Sequence, residues 1–94
     1  MKSIDYYMSL PYRLEVVPDT VEAGFVAFYP DLPGCMTCGD DIYKAVENAV
    51  DAKRLWLSSA IEDGVEIKEP AIFDYSDFMS KFSRNAPKRE RVFA

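Results

Sequence analysis

Histidine is absent from the 94 residues. The commonest general base near neutral pH, which is also the commonest metal ligand, is therefore missing. No apolar run approaches the roughly 20 residues that a membrane-spanning helix requires. The opening Met1-Lys2-Ser3-Ile4-Asp5-Tyr6-Tyr7 lacks the apolar stretch of a secretory signal, so a cytoplasmic protein is expected. There are only two cysteines, Cys35 and Cys38. A zinc site needs about four ligands, so one built on this pair would have to borrow carboxylates. No internal repeat and no low-complexity tract interrupts the chain.

What is present is ordinary in kind and uneven in placement. Apolar residues make up 49% and charged residues 29%, as in a soluble globular domain. A chain this short buries only about 60–65% of its unfolded surface, enough for one modest core. Residues 1–78 carry 15 acids and 6 bases, a net charge of −9, whereas residues 79–94 carry 5 bases and 1 acid, a net charge of +4. An acidic body repels nucleic-acid phosphates and suits a basic protein partner.

Ser3 is placed to cap a short helical turn carrying Ile4, Tyr7 and Met8, which Pro11 closes. Tyr12 to Val17 alternates, with Tyr12, Leu14 and Val16 on one face and Arg13 and Glu15 on the other, the pattern of a strand with one wet face. Pro18-Asp19-Thr20 and Gly24 supply turn chemistry. Phe25 to Tyr29 is apolar on both faces and pairs antiparallel with the first strand through a hairpin. In Pro30-Asp31-Leu32-Pro33-Gly34, the last two residues fit the central positions of a type II turn. A third strand over Cys35 to Cys38 completes a meander. The period then changes. Asp40 is the expected N-cap, and Ile42, Ala45, Val46, Ala49, Lys53, Trp56 and Ala60 recur at three or four residues as one helical stripe that Gly64 ends. A helix of about 22 residues is about 33 Å long, so its stripe must cross the whole sheet. Val65, Ile67 and residues 70–73 suggest an extended return as a fourth strand. Beyond Tyr75 no clean period emerges. The fold class is therefore α+β: a three-stranded antiparallel meander packed by one long helix, with a further strand, in the order β-β-β-α-β.

Several constellations have both a structural and a functional use. Alternation places Cys35 and Cys38 on opposite faces, which disfavours a chelate and leaves them as small reduced strand residues. Glu15, Asp19, Asp31, Asp40 and Asp41 are the acids from which a Mg²⁺ site for nuclease chemistry would be drawn, but only Glu15 lies on a strand, and the loop acids have simpler work in turns and caps. The turn at Asp31, Leu32, Pro33 and Gly34 fixes strand register, and it can equally present a rigid loop to a partner. Trp56 either fills the core or anchors an interface. Lys81, Arg84, Lys88, Arg89 and Arg91 form a solvated tail or a set of phosphate contacts.

The strings Tyr6-Tyr7-Met8-Ser9-Leu10-Pro11-Tyr12, Gly24-Phe25-Val26-Ala27, Tyr29-Pro30-Asp31-Leu32-Pro33-Gly34-Cys35, Thr37-Cys38-Gly39-Asp40, Glu62-Asp63-Gly64 and Glu69-Pro70 resemble the HicB-type antitoxin family over about residues 4–70. The resemblance implies a partial RNase H-like domain without nuclease activity, placed here at residues 1–73. It implies a small basic HicA-type toxin as partner, an mRNA-cleaving protein whose RNA-binding and catalytic surface the antitoxin covers. The expected contacts are Asp31, Leu32, Pro33, Gly34 and Trp56. It also implies a homo-oligomer, no enzyme activity and no cofactor. Family members commonly repress their own operon through a C-terminal DNA-binding domain. Residues 74–94 are expected to be a short basic tail without such a complete domain, which leaves operator binding as an alternative role and a residual metal-dependent ribonuclease as a minor one.

Overall fold

The computed structural model describes residues 2–70 and 75–84. Its elements are α1 (Ile4–Met8), β1 (Glu15–Pro18), β2 (Phe25–Phe28), β3 (Met36–Gly39), α2 (Ile42–Asp63) and α3 (Tyr75–Phe82). The strands form one antiparallel sheet in the order β1-β2-β3. The architecture is the expected α+β meander under a long helix. Ser3 caps α1 by accepting the Tyr6 N–H.

Register decides which face is buried. Val16, Ala27 and Thr37 stand side by side across the three strands. Their face, which includes Tyr29 and Cys35, meets α2, and Ala27, Tyr29 and Cys35 are buried. The opposite face carries Glu15, Phe28 and Met36 in one row and Val17, Val26 and Cys38 in the next. The start of α2 lies tight against the end of β3 at Gly39, where an added Cβ would lie 2.4 Å from the Ala45 backbone nitrogen. Only glycine fits that contact, and the small Ala45 and Ala49 continue it along the helix.

The two sheet edges are finished differently. Asp19 N–H donates to the Gly24 carbonyl and Tyr29 N–H to the Cys35 carbonyl. Hydrogen-bonded pairs recur every second residue in an antiparallel ladder, so Pro18 on β1 and Cys38 on β3 turn their backbones outward. Pro18 has no N–H to present there. The Cys38 carbonyl is taken by the Asn48 side chain of α2 at 2.8 Å.

α2 corrects two expectations. Its N-cap is Asp41, whose carboxylate accepts the Lys44 N–H at 2.7 Å, rather than Asp40. Its buried stripe is Ala45, Ala49, Lys53, Leu57 and Ala60, and Ile42 is exposed. Leu57, off the expected stripe, is 0% exposed and takes the inward place expected of Trp56. Gly64 ends α2 as expected. Val65 N–H bonds the Ala60 carbonyl and Gly64 N–H the Ile61 carbonyl, a Schellman closure.

The return after α2, residues 65–70, forms no strand among the described residues, and residues 71–73 of the expected fourth strand lie outside them. Side chains hold it instead of a ladder. Ile67 is buried, the Tyr12 hydroxyl donates to the Lys68 carbonyl, and Glu69 accepts from Lys2 and the Tyr6 hydroxyl, each at 3.0 Å. The hydrogen bonds to Tyr6 and Glu69 push the Lys2 ammonium up to about 12, and those from Lys2 and Tyr6 pull the Glu69 carboxyl down.

Candidate functional site

The segment from Tyr29 to Cys35 is two consecutive turns. Leu32 N–H donates to the Tyr29 carbonyl at 3.0 Å, and Cys35 N–H to the Leu32 carbonyl at 2.9 Å. Pro33 and Gly34 occupy the centre of the second turn. Gly34 has φ +82°, as a type II turn demands at that position. The loop is fastened on three sides. Leu32 points inward and is 0% exposed. The Asp31 carboxylate lies 3.4 Å from the Lys68 ammonium. The Trp56 indole N–H donates to the Pro33 carbonyl at 2.8 Å. Thus the five residues expected to contact a partner are brought together, with Leu32 supporting the turn from beneath and Pro33 and Gly34 exposed at its tip.

Beside this turn a groove of about 490 Å³ runs between β3 and the C-terminal half of α2, lined by Met36, Ala52, Leu55, Trp56, Ala60 and Val65 among others. Met36 is 64% and Leu55 71% exposed. Ser59 and Asp63 are its polar side chains apart from the Trp56 N–H, too few to orient a small ligand. Sequence reasoning missed Met36, Leu55 and Val65. The available signal was Leu55, an apolar residue beside Trp56 and off the helical stripe.

The acids do not converge. Glu15 pairs with Arg13 at 3.5 Å, Asp31 with Lys68, and Asp41 caps α2. Asp19 accepts the Glu22 and Val21 N–H groups, which hold its carboxyl below the usual range. Among the described residues no three His, Cys, Asp or Glu side chains group into a metal site. Cys35 is buried and Cys38 exposed, on opposite faces as alternation requires. Burial pushes the Cys35 thiol up, partly countered by Lys53, so it is protonated at neutral pH and a poor nucleophile. Lys53 is only 8% exposed. Its ammonium lies 5.1 Å from the centre of the Tyr29 ring, and burial pulls its pKa down.

Of the basic residues, Lys81 lies in α3, where it pairs with Asp77 at 3.1 Å, and Arg84 follows it. Lys88, Arg89 and Arg91 lie outside the described residues. The helix α3 had no legible period in the sequence, yet Tyr75, Phe78, Met79 and Phe82 share one side of it.

Comparison with known proteins adds two findings. A family model described as "HicB_like antitoxin of bacterial toxin-antitoxin system" matches residues 12–85, from the approach to β1 through α3. The chain is also 35% identical over 60 residues to the "Uncharacterized 14.9 kDa protein in rep-hol intergenic region" of Haemophilus phage HP1 (strain HP1c1). That match covers 64% of this chain and 42% of the phage protein.

Proposed function

Since the chain belongs to the HicB-like antitoxin family of bacterial toxin–antitoxin systems, we propose that it binds and neutralises a small basic HicA-type toxin that cleaves mRNA. The observation that carries this reading is the turn at Asp31–Gly34, fastened to α2 through Trp56 and presented by an acidic body. A rigid loop loses little conformational entropy on binding, and Pro33, Gly34 and the flank of Trp56 are open to a partner. Exposed carboxylates such as Glu47, Asp51, Glu62 and Glu66 offer the toxin's basic face the charge it meets in RNA phosphates. Charge complementarity speeds and steers the encounter, while the well-packed apolar contacts set how long the complex lasts. The antitoxin covers the toxin's RNA-binding surface and its catalytic group without chemistry of its own. This role places it in the cytoplasm, as a homo-oligomer.

The test is an RNA-cleavage assay with a HicA-type toxin, sought as a small basic reading frame beside the one for this chain. Stoichiometric inhibition is expected, and Pro33→Gly together with Trp56→Ala should weaken binding by about 10-fold or more through faster dissociation. Unchanged cleavage in the presence of excess wild-type chain would overturn the proposal.

A further inference from the structure

We infer that the groove between β3 and the C-terminal half of α2 is a seat for a single arginine side chain of a basic partner protein, its stem along the apolar walls and its guanidinium on Asp63. The inference deepens the antitoxin reading, on which it rests for the identity of the partner, by naming the side chain that the partner inserts.

The walls are Met36, Ala52, Leu55, Trp56, Ala60 and Val65, and Met36 and Leu55 stand largely in water. The Trp56 N–H is already engaged by the Pro33 carbonyl, so the ring is held in one orientation and offers the groove its apolar surface. Ala52 and Ala60 stand one turn before and one turn after Trp56 on α2, and their small side chains leave room at its flanks. A groove of about 490 Å³ suits one long side chain and the backbone beside it.

Charge decides what that side chain carries. Asp63 lines the groove two turns beyond Trp56. Ser59 lies between them, with a hydroxyl that can accept a hydrogen bond. Asp63 and its neighbour Glu62 stand at the negative end of the α2 dipole, where acids are unfavourable, and no basic residue shares that turn. Neither takes part in an ion pair among the described residues. For the chain alone this is a local conflict without compensation, the pattern that marks functional positions. A purely apolar occupant would cover the Asp63 carboxylate and leave it with neither water nor a partner, at a large cost. An anion would be repelled. A cation on an apolar stem satisfies both halves of the groove. Arginine fits better than lysine, because its guanidinium is weakly hydrated, lies flat against aromatic and apolar surface and forks onto a carboxylate.

The experiment is an NMR titration of the ¹⁵N-labelled full chain at low salt. The probes are Nα-acetyl-arginine amide and its citrulline analogue, which has nearly the same shape and no charge. Trp56 is the only tryptophan, so its indole N–H signal identifies itself. Arginine amide is expected to shift this signal and the Ala60 amide saturably in the millimolar range, and the citrulline amide to leave both in place. Asp63→Asn should weaken the arginine probe by about 5-fold. Glu22→Gln, the loss of an equally exposed charge in the β1–β2 loop, should not. Asp63→Asn removes an acid from the unfavourable end of a helix, so the variant keeps its fold, verified by thermal unfolding. Equal shifts from both probes, or equal effects of both variants, would overturn the inference. So would an indole signal that the arginine probe does not move, whether the groove is then empty or filled by the chain's own C-terminal arginines. Signals that move with chain concentration alone would assign the groove to a second copy and overturn it as well. Inhibition of a HicA-type toxin, measured separately, keeps the two readings apart. Probe binding at Asp63 by a chain that inhibits no toxin sinks the antitoxin reading alone, and toxin inhibition without probe binding sinks the arginine seat alone.

Discussion

Lys53 occupies a position where a hydrocarbon would serve packing better. It lies on the core stripe between Ala49 and Leu57 and is held by little more than the face of Tyr29. Burial disfavours its charged form, so the folded chain holds this proton less tightly than the unfolded chain does. The cost is fully present below the folded-state pKa, declines as pH rises from there to 10.5, and is gone above it. Lys53→Met should therefore be neutral or stabilising at pH 7, and its advantage over wild type should shrink toward pH 10. Urea midpoints at the two pH values check this. Trp56 makes the complementary case of a polar handle on a large apolar side chain. Trp56→Phe keeps most of the ring and loses the bond to Pro33. Because Pro33 is exposed, water can take over its carbonyl, and the loss should be about 0.5–1.5 kcal/mol in thermal unfolding.

At the scale of elements, local chemistry was easier to read than phase. The type II turn at Pro33–Gly34, the Schellman stop at Gly64 and the Ser3 cap depend on a few neighbouring residues, and all three were legible. So was the opposition of Cys35 and Cys38. The five residues expected at a partner site come together because four belong to one turn and the fifth is tied to it. The groove was not legible. Whether Leu55 faces solvent and Leu57 the core depends on the rotation of α2 against the sheet, which is a matter of packing through space that local spacing does not fix. The cap of α2 was misplaced by one residue for a related reason, since Asp40 and Asp41 are equally good caps in isolation. The return after Gly64 looked like a strand because Val65 and Ile67 alternate, but Lys68 and Glu69 spend their polar groups on α1 and the turn. The cap gives a clean test. Asp41→Ala should cost about 1 kcal/mol in urea unfolding, whereas Asp40→Ala should stay within about 0.5 kcal/mol of wild type.

For the whole molecule, the proposed binding divides the work: charge complementarity governs encounter and apolar contacts govern residence. Exposed charges are screened over about 10 Å at 0.1 M salt. If the partner is the proposed basic toxin, raising salt from 0.05 to 0.5 M should slow association by about 10-fold or more while leaving dissociation nearly unchanged, a split that stopped-flow kinetics resolves. Both edges of the sheet are partly blunted. Pro18 offers no donor on one side, and Asn48 occupies the Cys38 carbonyl on the other. A three-stranded sheet with two open edges would invite aggregation by adding strands from neighbouring molecules. With these two positions blunted, strand addition from a neighbouring molecule is opposed at both edges, and recognition falls mainly to side chains that can change without disturbing the ladder.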